Sequence, residues 1–417
     1  VSEESRPPAT GSATPGTTPG ARRAEVGRKH TIGRVIVASL LVLGLVTGLG
    51  MVYLYRHLSG NITGVSLGAL GEDRPEKVYR GNGEPLNVLV MGSDSRDCEG
   101  CGVDAEGGGG SDTTILVHIS ADRERAYAVS IPRDSIIDRP ACGDDDEIPA
   151  ETEVKWNAAY NAGGPVCTME QVEATTDIYV DHFVVVDFNG FGDMVDAVGG
   201  VPVCVPEDID DPKHEIFVPA GDPSVLTGDE ALDYVRARYV GELVQQNDIS
   251  RIRRQQAFIA ALVRKVKSAG TLARLDKVVP FLDAATSSLT TDDELDSVTR
   301  IGKLAMQLQS IGLDNVKFVT LPTEYYPRES DHWGSVYWTP EAEQIWKLLN
   351  EDKPLPPKLL SNAISAEPPE TSNESETPSP TETPSPTETP SPSETATPEP
   401  PAQTETPEPE PVPGVCA

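Results

Sequence analysis

The chain is 417 residues long, with 34 basic and 66 acidic side chains and a formal net charge of −32. Nucleic-acid phosphates are gripped by basic surfaces, so this balance excludes a general DNA- or RNA-binding role. Six scattered histidines, no Walker A loop and no G-x-S-x-G elbow exclude the commonest zinc, nucleotide and serine-hydrolase sites.

Residues 1–34 open Ser/Thr/Pro/Gly-rich, turn basic from Arg22 to Arg34, and sum to +3. They read as a disordered cytoplasmic segment. Residues 35–55 then run 21 positions without a charge. At about 1.5 Å per residue they match the roughly 30 Å hydrocarbon core, which predicts one transmembrane helix, with Tyr53 and Tyr55 as interfacial anchors. A cleaved signal peptide would have a shorter apolar core and a small-residue cleavage site. Basic charge ahead of the span predicts a single-pass protein of the cell membrane, its N-terminus cytoplasmic and the remainder extracytoplasmic.

After a juxtamembrane linker (56–80), apolar runs at 86–91, 112–119 and 126–131 read as strands covered on both faces. Helical patterning begins near Trp156, resumes from Cys167 to Thr176, and is followed by a strand at 183–188 and a helix from Gly190 to Val198. Thr227 and Glu230 fit a capping box. A helix from Asp248 to about Ser268 precedes helix, strand and helix at 298–309, 317–321 and 340–349. This alternation predicts a single α/β domain over 81–355, with a central mixed sheet flanked by helices. Residues 356–417 form a Pro/Thr/Glu-rich tail with eleven Glu after Ala366 and a T-E-T-P-S-P repeat, too poor in apolar residues to fold.

The six cysteines, at 98, 101, 142, 167, 204 and 416, all follow the span, in a compartment that permits disulfides. Their fifteen pairings stay open. The C-E-G-C at 98–101 lacks a second C-x-x-C and reads as a structural loop disulfide rather than a redox or metal motif.

Residues 234–256 hold five arginines and no lysine on this acidic background. Arg236 and Arg238 lie two apart in a β-branched and aromatic run, so on a strand they would share one face. Asp248 suits a helix N-cap, and Arg251 and Gln255 fall on its stripe at i+3 and i+7. Arg253 and Arg254 fall elsewhere on the helix, as solvated or structural residues. Asp94 with Arg96, Asp112, Arg133 and Lys155 each follow or precede a predicted apolar element. Planar guanidinium forks suit phosphate oxygens, and carboxylates suit a hard divalent cation. Together they suit phosphoryl transfer to a hydroxyl.

G-S-D-S-R (92–96), S-D-T-T (111–114), S-I-P-R-D-S (130–135), K-W-N-A-A-Y (155–160), D-A-V-G-G-V (196–201), A-L-D-Y-V-R-A-R (231–238) and N-D-I-S-R-I-R-R-Q-Q (247–256) occur collinearly. In these motifs the chain resembles the LytR-CpsA-Psr family. The resemblance implies a phosphotransferase that moves a phosphate-linked glycopolymer (teichoic acid, arabinogalactan or capsule-like) from a polyprenyl pyrophosphate to a peptidoglycan hydroxyl. It implies Mg²⁺, with Mn²⁺ as an alternative, at Asp94 and Asp112. It assigns Arg133, Arg236, Arg238, Asp248, Arg251 and Gln255 to the catalytic pyrophosphate site, and Arg96 and Lys155 to substrate binding. One departure is Gly110, where the family usually has arginine. A non-catalytic scaffold for lipid-linked precursors, or a polyprenyl-pyrophosphate phosphohydrolase, are the alternatives; 34 cytoplasmic residues are too few for a DNA-binding regulator. A topology reporter fused after Ala417 is expected to score outside the cytoplasm, and a cytoplasmic score contradicts the placement.

Overall fold

A computed structural model describes residues 25–70, 74–78, 83–93, 111–143, 146–212, 214–237, 248–267 and 274–367. Asp94, Arg96, Gly110, Arg238 and the predicted tail from residue 368 onward lie outside the described residues, as does the side chain of Asp112. The chain divides into two compact units, residues 1–57 and 58–417. Helix α1 (Glu25–Asn61) supplies the described part of the first and extends the predicted 35–55 span at both ends. Every side chain from Ile32 to Tyr53 is exposed. An apolar helix with no protein cover is suited to a hydrocarbon surround rather than to water.

The second unit is built on an eight-stranded mixed sheet. In chain order its strands are β1 (Thr63–Val65), β2 (Leu86–Ser93), β3 (Ser111–Ile119), β4 (Ala126–Ile131), then β7 (His182–Asp187), β12 (Leu289–Asp292), β13 (Val316–Thr320) and β16 (Ile364–Ser365). Their spatial order is β1-β12-β7-β2-β3-β4-β13-β16. The sheet thus takes in residues on both sides of the expected 81–355 span. The three predicted strands are its central neighbours β2, β3 and β4. Antiparallel pairs β5 (Ile136–Arg139) with β6 (Glu151–Lys155), β8 (Val201–Val205) with β11 (Gly221–Leu226), β9 (Ile209–Asp211) with β10 (Ile216–Val218), and β14 (Thr323–Tyr325) with β15 (Val336–Trp338) lie outside it.

Side-chain alternation sends each central strand's residues to two different layers. Leu89, Met91, Leu116 and Val129 pack with Trp156, Met169 and Val172 around α2 (Ala158–Thr176), and with Ile345 and Trp346 of α8 (Pro340–Asn350). Ile115, Ala128 and Phe318 pack instead on Ala260 of α5 (Asp248–Lys267). The separate helical stretches expected before and after residue 165 form one kinked element. Gly163 and Gly164 leave helical geometry, Gly164 at φ +67°, and Pro165 restarts the helix. A disulfide joins Cys142 to Cys167 just after this kink.

Beside α5 lie α3 (Phe188–Ala197), α4 (Gly228–Arg236) and α6 (Leu275–Ser287); α7 (Val298–Gln309) follows β12. The capping box forms, the Glu230 carboxylate accepting from the Thr227 backbone N–H at 2.8 Å. Gly228, the first residue of α4, faces α3 so closely that a Cβ there would stand 2.5 Å from the Gly192 carbonyl oxygen. Buried Gln256 ties α5 to the sheet, donating to Ser130 Oγ at 2.9 Å and accepting from Thr320 Oγ1 at 3.2 Å. Gly228→Ala is expected to destabilise the fold by about 1–3 kcal/mol through overpacking against backbone. A denaturant midpoint equal to that of the unsubstituted chain contradicts this contact.

Candidate active site

The sheet's connectivity gathers the sequence motifs at one end. β4 is antiparallel to β3 and β3 to β2, while β7 is parallel to β2 and β13 to β4. The C-terminal ends of β2, β4, β7 and β13 and the N-terminal end of β3 therefore coincide. Ser93, the residue before Asp94, is registered opposite both Ser111 and Asp187. Arg133 follows β4, and the backbone of Asp112 falls at the start of β3, where the register shifts. Strand ends of this kind are where open α/β sheets bind ligands, because the connecting loops diverge there.

Over this end lies a ladder of alternating charge. Lys155 donates to Asp134 at 2.6 Å, and Asp134 stands 3.7 Å from Arg133 Nε. Arg133 Nε is also 3.7 Å from Asp248, whose same oxygen accepts from Arg251. Three cations thus alternate with two carboxylates. Interleaving is what allows guanidinium groups to crowd together, since each repulsion is offset by a shared carboxylate. Asp248 is the first residue of α5 rather than a residue ahead of it, so its carboxylate and Arg251 meet across one helical turn. Its second oxygen, Oδ2, is buried and has no hydrogen-bond partner among the described residues. That is a hard oxygen able to hold a cation or accept a proton.

The expectation that Arg236 lies on a strand is corrected. It ends helix α4, and the chain turns extended only at Ala237, because the capping box and buried Ala231, Tyr234 and Val235 commit 228–236 to a helix against α3 and α5. Its β-branched and aromatic residues are selected by burial, which overrides strand propensity. Arg236 lies over the Phe188 ring at 4.9 Å, and Phe188 packs against Gly92, where a Cβ would approach to 3.2 Å. Gln255 is buried and donates to the Val235 carbonyl at 3.3 Å, so it joins α5 to the end of α4. Its role in the described structure is to hold Arg236's helix in place. Arg254 is fully buried and donates to the Ala237 carbonyl; burial lowers its pKa to about 10. It is structural and not solvated.

The structure brings together Arg133, Lys155, Asp248 and Arg251 directly, and Arg236 and Gln255 through α4. Asp94, Arg96 and Arg238 are outside the described residues. For a divalent cation, the described fit is the buried, unpartnered Asp248 oxygen and the strand register that places the Asp112 backbone beside the end of β2. Among the described residues the one compact His/Cys/Asp/Glu cluster, Cys142, Cys167 and Glu170, contains the disulfide and offers no thiolates.

Two site residues went unassigned in the sequence. Asp134 stands beside Arg133 in S-I-P-R-D-S, a spacing that by itself assigns it no role. Tyr325 carried no signal, since the β14–β15 hairpin brings it in from 70 or more residues away. Tyr325 is 52% exposed, and the partial burial of its ring, then the charges of Asp248 and Asp134, hold its phenol above the usual tyrosine pKa. Asp248→Asn removes one of those charges, so the Tyr325 pKa is expected to fall toward its ordinary value. Carbon-13 NMR of ring-labelled tyrosine reads this, and an unmoved titration contradicts the proximity.

The fold and site together define a mixed α/β protein with an arginine–carboxylate site at its strand ends, preceded in the sequence by one long apolar helix. The chain belongs to the LytR_cpsA_psr family, whose model matches residues 54–354. It is 31% identical over 363 residues to the cell wall biosynthesis protein LcpA of Corynebacterium glutamicum, covering 77% of this chain and 65% of LcpA. The chain spans 52% of the probable cell wall biosynthesis protein LcpB of the same organism, so it covers under two thirds of either relative. It is 29% identical to the polyisoprenyl-teichoic acid–peptidoglycan teichoic acid transferase TagV of Bacillus subtilis, over 78% of this chain and 79% of TagV. Among solved structures it is similar to TagT bound to LI-WTA, with a TM-score of 0.51, 25% identity, and 70% and 98% of the two chains covered.

Proposed function

We propose that this protein is an extracytoplasmic phosphotransferase that moves a phosphate-linked glycopolymer from a polyprenyl pyrophosphate to a hydroxyl of peptidoglycan, breaking the pyrophosphate P–O bond and releasing polyprenyl phosphate. The observation that carries the reading is the ladder Lys155–Asp134–Arg133–Asp248–Arg251 at the strand ends. Arg133 and Arg251 offer a pre-paid cationic surface for a pyrophosphate, organised before substrate arrives and therefore not reorganised during reaction. Arg236, held over Phe188 at the neighbouring helix end, adds a third guanidinium. Asp248, through its free Oδ2, is the group suited to accept the proton of the attacking hydroxyl. Family membership and the names of the TagV and TagT relatives support a polymer transfer of this kind.

Asp94 and Asp112 would hold Mg²⁺, which would supply positive charge to the pyrophosphate oxygens. The apolar helix α1 suits a lipid-borne donor, because it would tether the chain to the membrane that carries such a donor.

A second reading, a carrier that binds lipid-linked precursors without turnover, is favoured by Gly110, where the family usually has arginine. Purified full-length chain in detergent, given a polyprenyl-pyrophosphate-linked glycan, Mg²⁺ and peptidoglycan, is expected to transfer glycan. Arg236→Ala should slow transfer by roughly 10²–10³-fold, the cost of losing one preorganised charge-stabilising donor. Tight donor binding without transfer by the unsubstituted chain supports the carrier, and release of phosphate to water alone supports a phosphohydrolase.

A further inference from the structure

On the other flank of α5 from Arg251 lies a cavity of about 270 Å³. Ile249 and Arg253, one helical turn apart, line it with the end of β13 and the chain that follows, and with residues between Lys358 and Ala363. Arg253 is half-buried, its Nε is buried without a hydrogen-bond partner, and it forms no ion pair among the described residues. Every other described arginine that is not fully exposed has a carboxylate, a carbonyl or an aromatic face: Arg74 on Glu173, Arg125 on Asp122, Arg139 on the Pro149 carbonyl, Arg254 on Ala237. Burial without compensation lowers the Arg253 pKa. The remaining charges at the cavity are Lys358 and Glu341, which pair with each other at 3.5 Å and cancel. A single uncompensated guanidinium therefore faces a cavity whose other polar groups include Thr323, Ser361 and Asn362.

We propose that this cavity is an anion subsite that takes one phosphodiester or carboxylate group of a hydroxyl-rich glycan chain engaged at the neighbouring strand-end site. The inference rests on the transferase reading for the identity of the glycan. The cavity's volume lies below the roughly 300–1,000 Å³ of sites for drug-sized ligands, which suits one charged sugar unit and not a polyprenyl chain. Thr320, which lines it, is the residue that Gln256 ties to α5, so the subsite and the arginine ladder are mounted on the same helix and the same strand ends. A planar guanidinium with no carboxylate partner keeps donors that oxyanions accept in pairs of hydrogen bonds. The anion can belong to the polymer being transferred or to the acceptor, and both carry the same chemistry.

The test is calorimetric binding to full-length chain in detergent, without lipid donor or metal. The probes are a glycerol-phosphodiester oligomer, standing for the donor polymer, and a muramyl peptide, standing for the acceptor. One of them is expected to bind, identifying the source of the anion. Arg253→Gln should weaken that binding at least tenfold and melt no lower than the unsubstituted chain, because it removes an uncompensated charge. Arg253→Lys should retain part of the affinity. Lys358→Gln, at a side chain 83% exposed, should weaken binding in the same direction with no effect on packing. Binding that Arg251→Gln abolishes and Arg253→Gln leaves intact belongs to the neighbouring site and overturns the proposal. So does a failure of the unsubstituted chain to bind either probe. Arg253-dependent binding in a chain that transfers no glycan would instead sink the transferase reading and leave the subsite standing.

Discussion

Arg133 and Arg251 share one carboxylate, and the rest of the site depends on that sharing. Two guanidinium groups drawn together without Asp248 would repel, and neither can shed its charge at neutral pH. Asp248 solves this with one oxygen and leaves the other for substrate or cation. Because the carboxylate lies at the start of a helix and Arg133 at the end of a strand, the pairing also sets where α5 begins relative to β4.

Holding that geometry requires α5 to be immobile against the sheet. Gln256 does so by bonding to buried Ser130 on β4 and half-buried Thr320 on β13. Arg254 and Gln255 then reach across to the Ala237 and Val235 carbonyls, so the end of α4 is fastened to α5. Of the five polar or charged residues between 251 and 256, only Arg251 and Arg253 face places where a ligand could sit. The others spend their hydrogen-bonding capacity on positioning. A dense run of polar side chains on one helix is thereby divided between chemistry and architecture, by the 100° that each residue turns about the axis.

Much of this was legible in the sequence where the signal is local. The apolar runs at 86–91, 112–119 and 126–131 reappear as β2, β3 and β4, because strands buried on both faces need unbroken apolar composition. Thr227 with Glu230, and Asp248 with Arg251, are contacts within one helical turn, so spacing alone reveals them. Arg236 was misplaced on a strand for the complementary reason. Its β-branched and aromatic neighbours fill the space between α3 and α5, and burial there selects for bulk whatever the backbone does. The β14–β15 hairpin with Tyr325, and the cavity at Arg253, have no local signature, since each is formed by segments far apart in the chain.

The sequence by itself determined the apolar helix, the α/β alternation, the acidic background and the residue types of a phosphate-binding site, all properties of composition and short-range spacing. Only the tertiary structure decided which charges meet. Asp134 and Asp248 are 114 positions apart, yet both lie beside Arg133, because the mixed topology brings one end of β4 to the start of α5. Coulomb attraction falls with distance in space and is blind to distance along the chain, so the arginines become a site only once the sheet has set their separation.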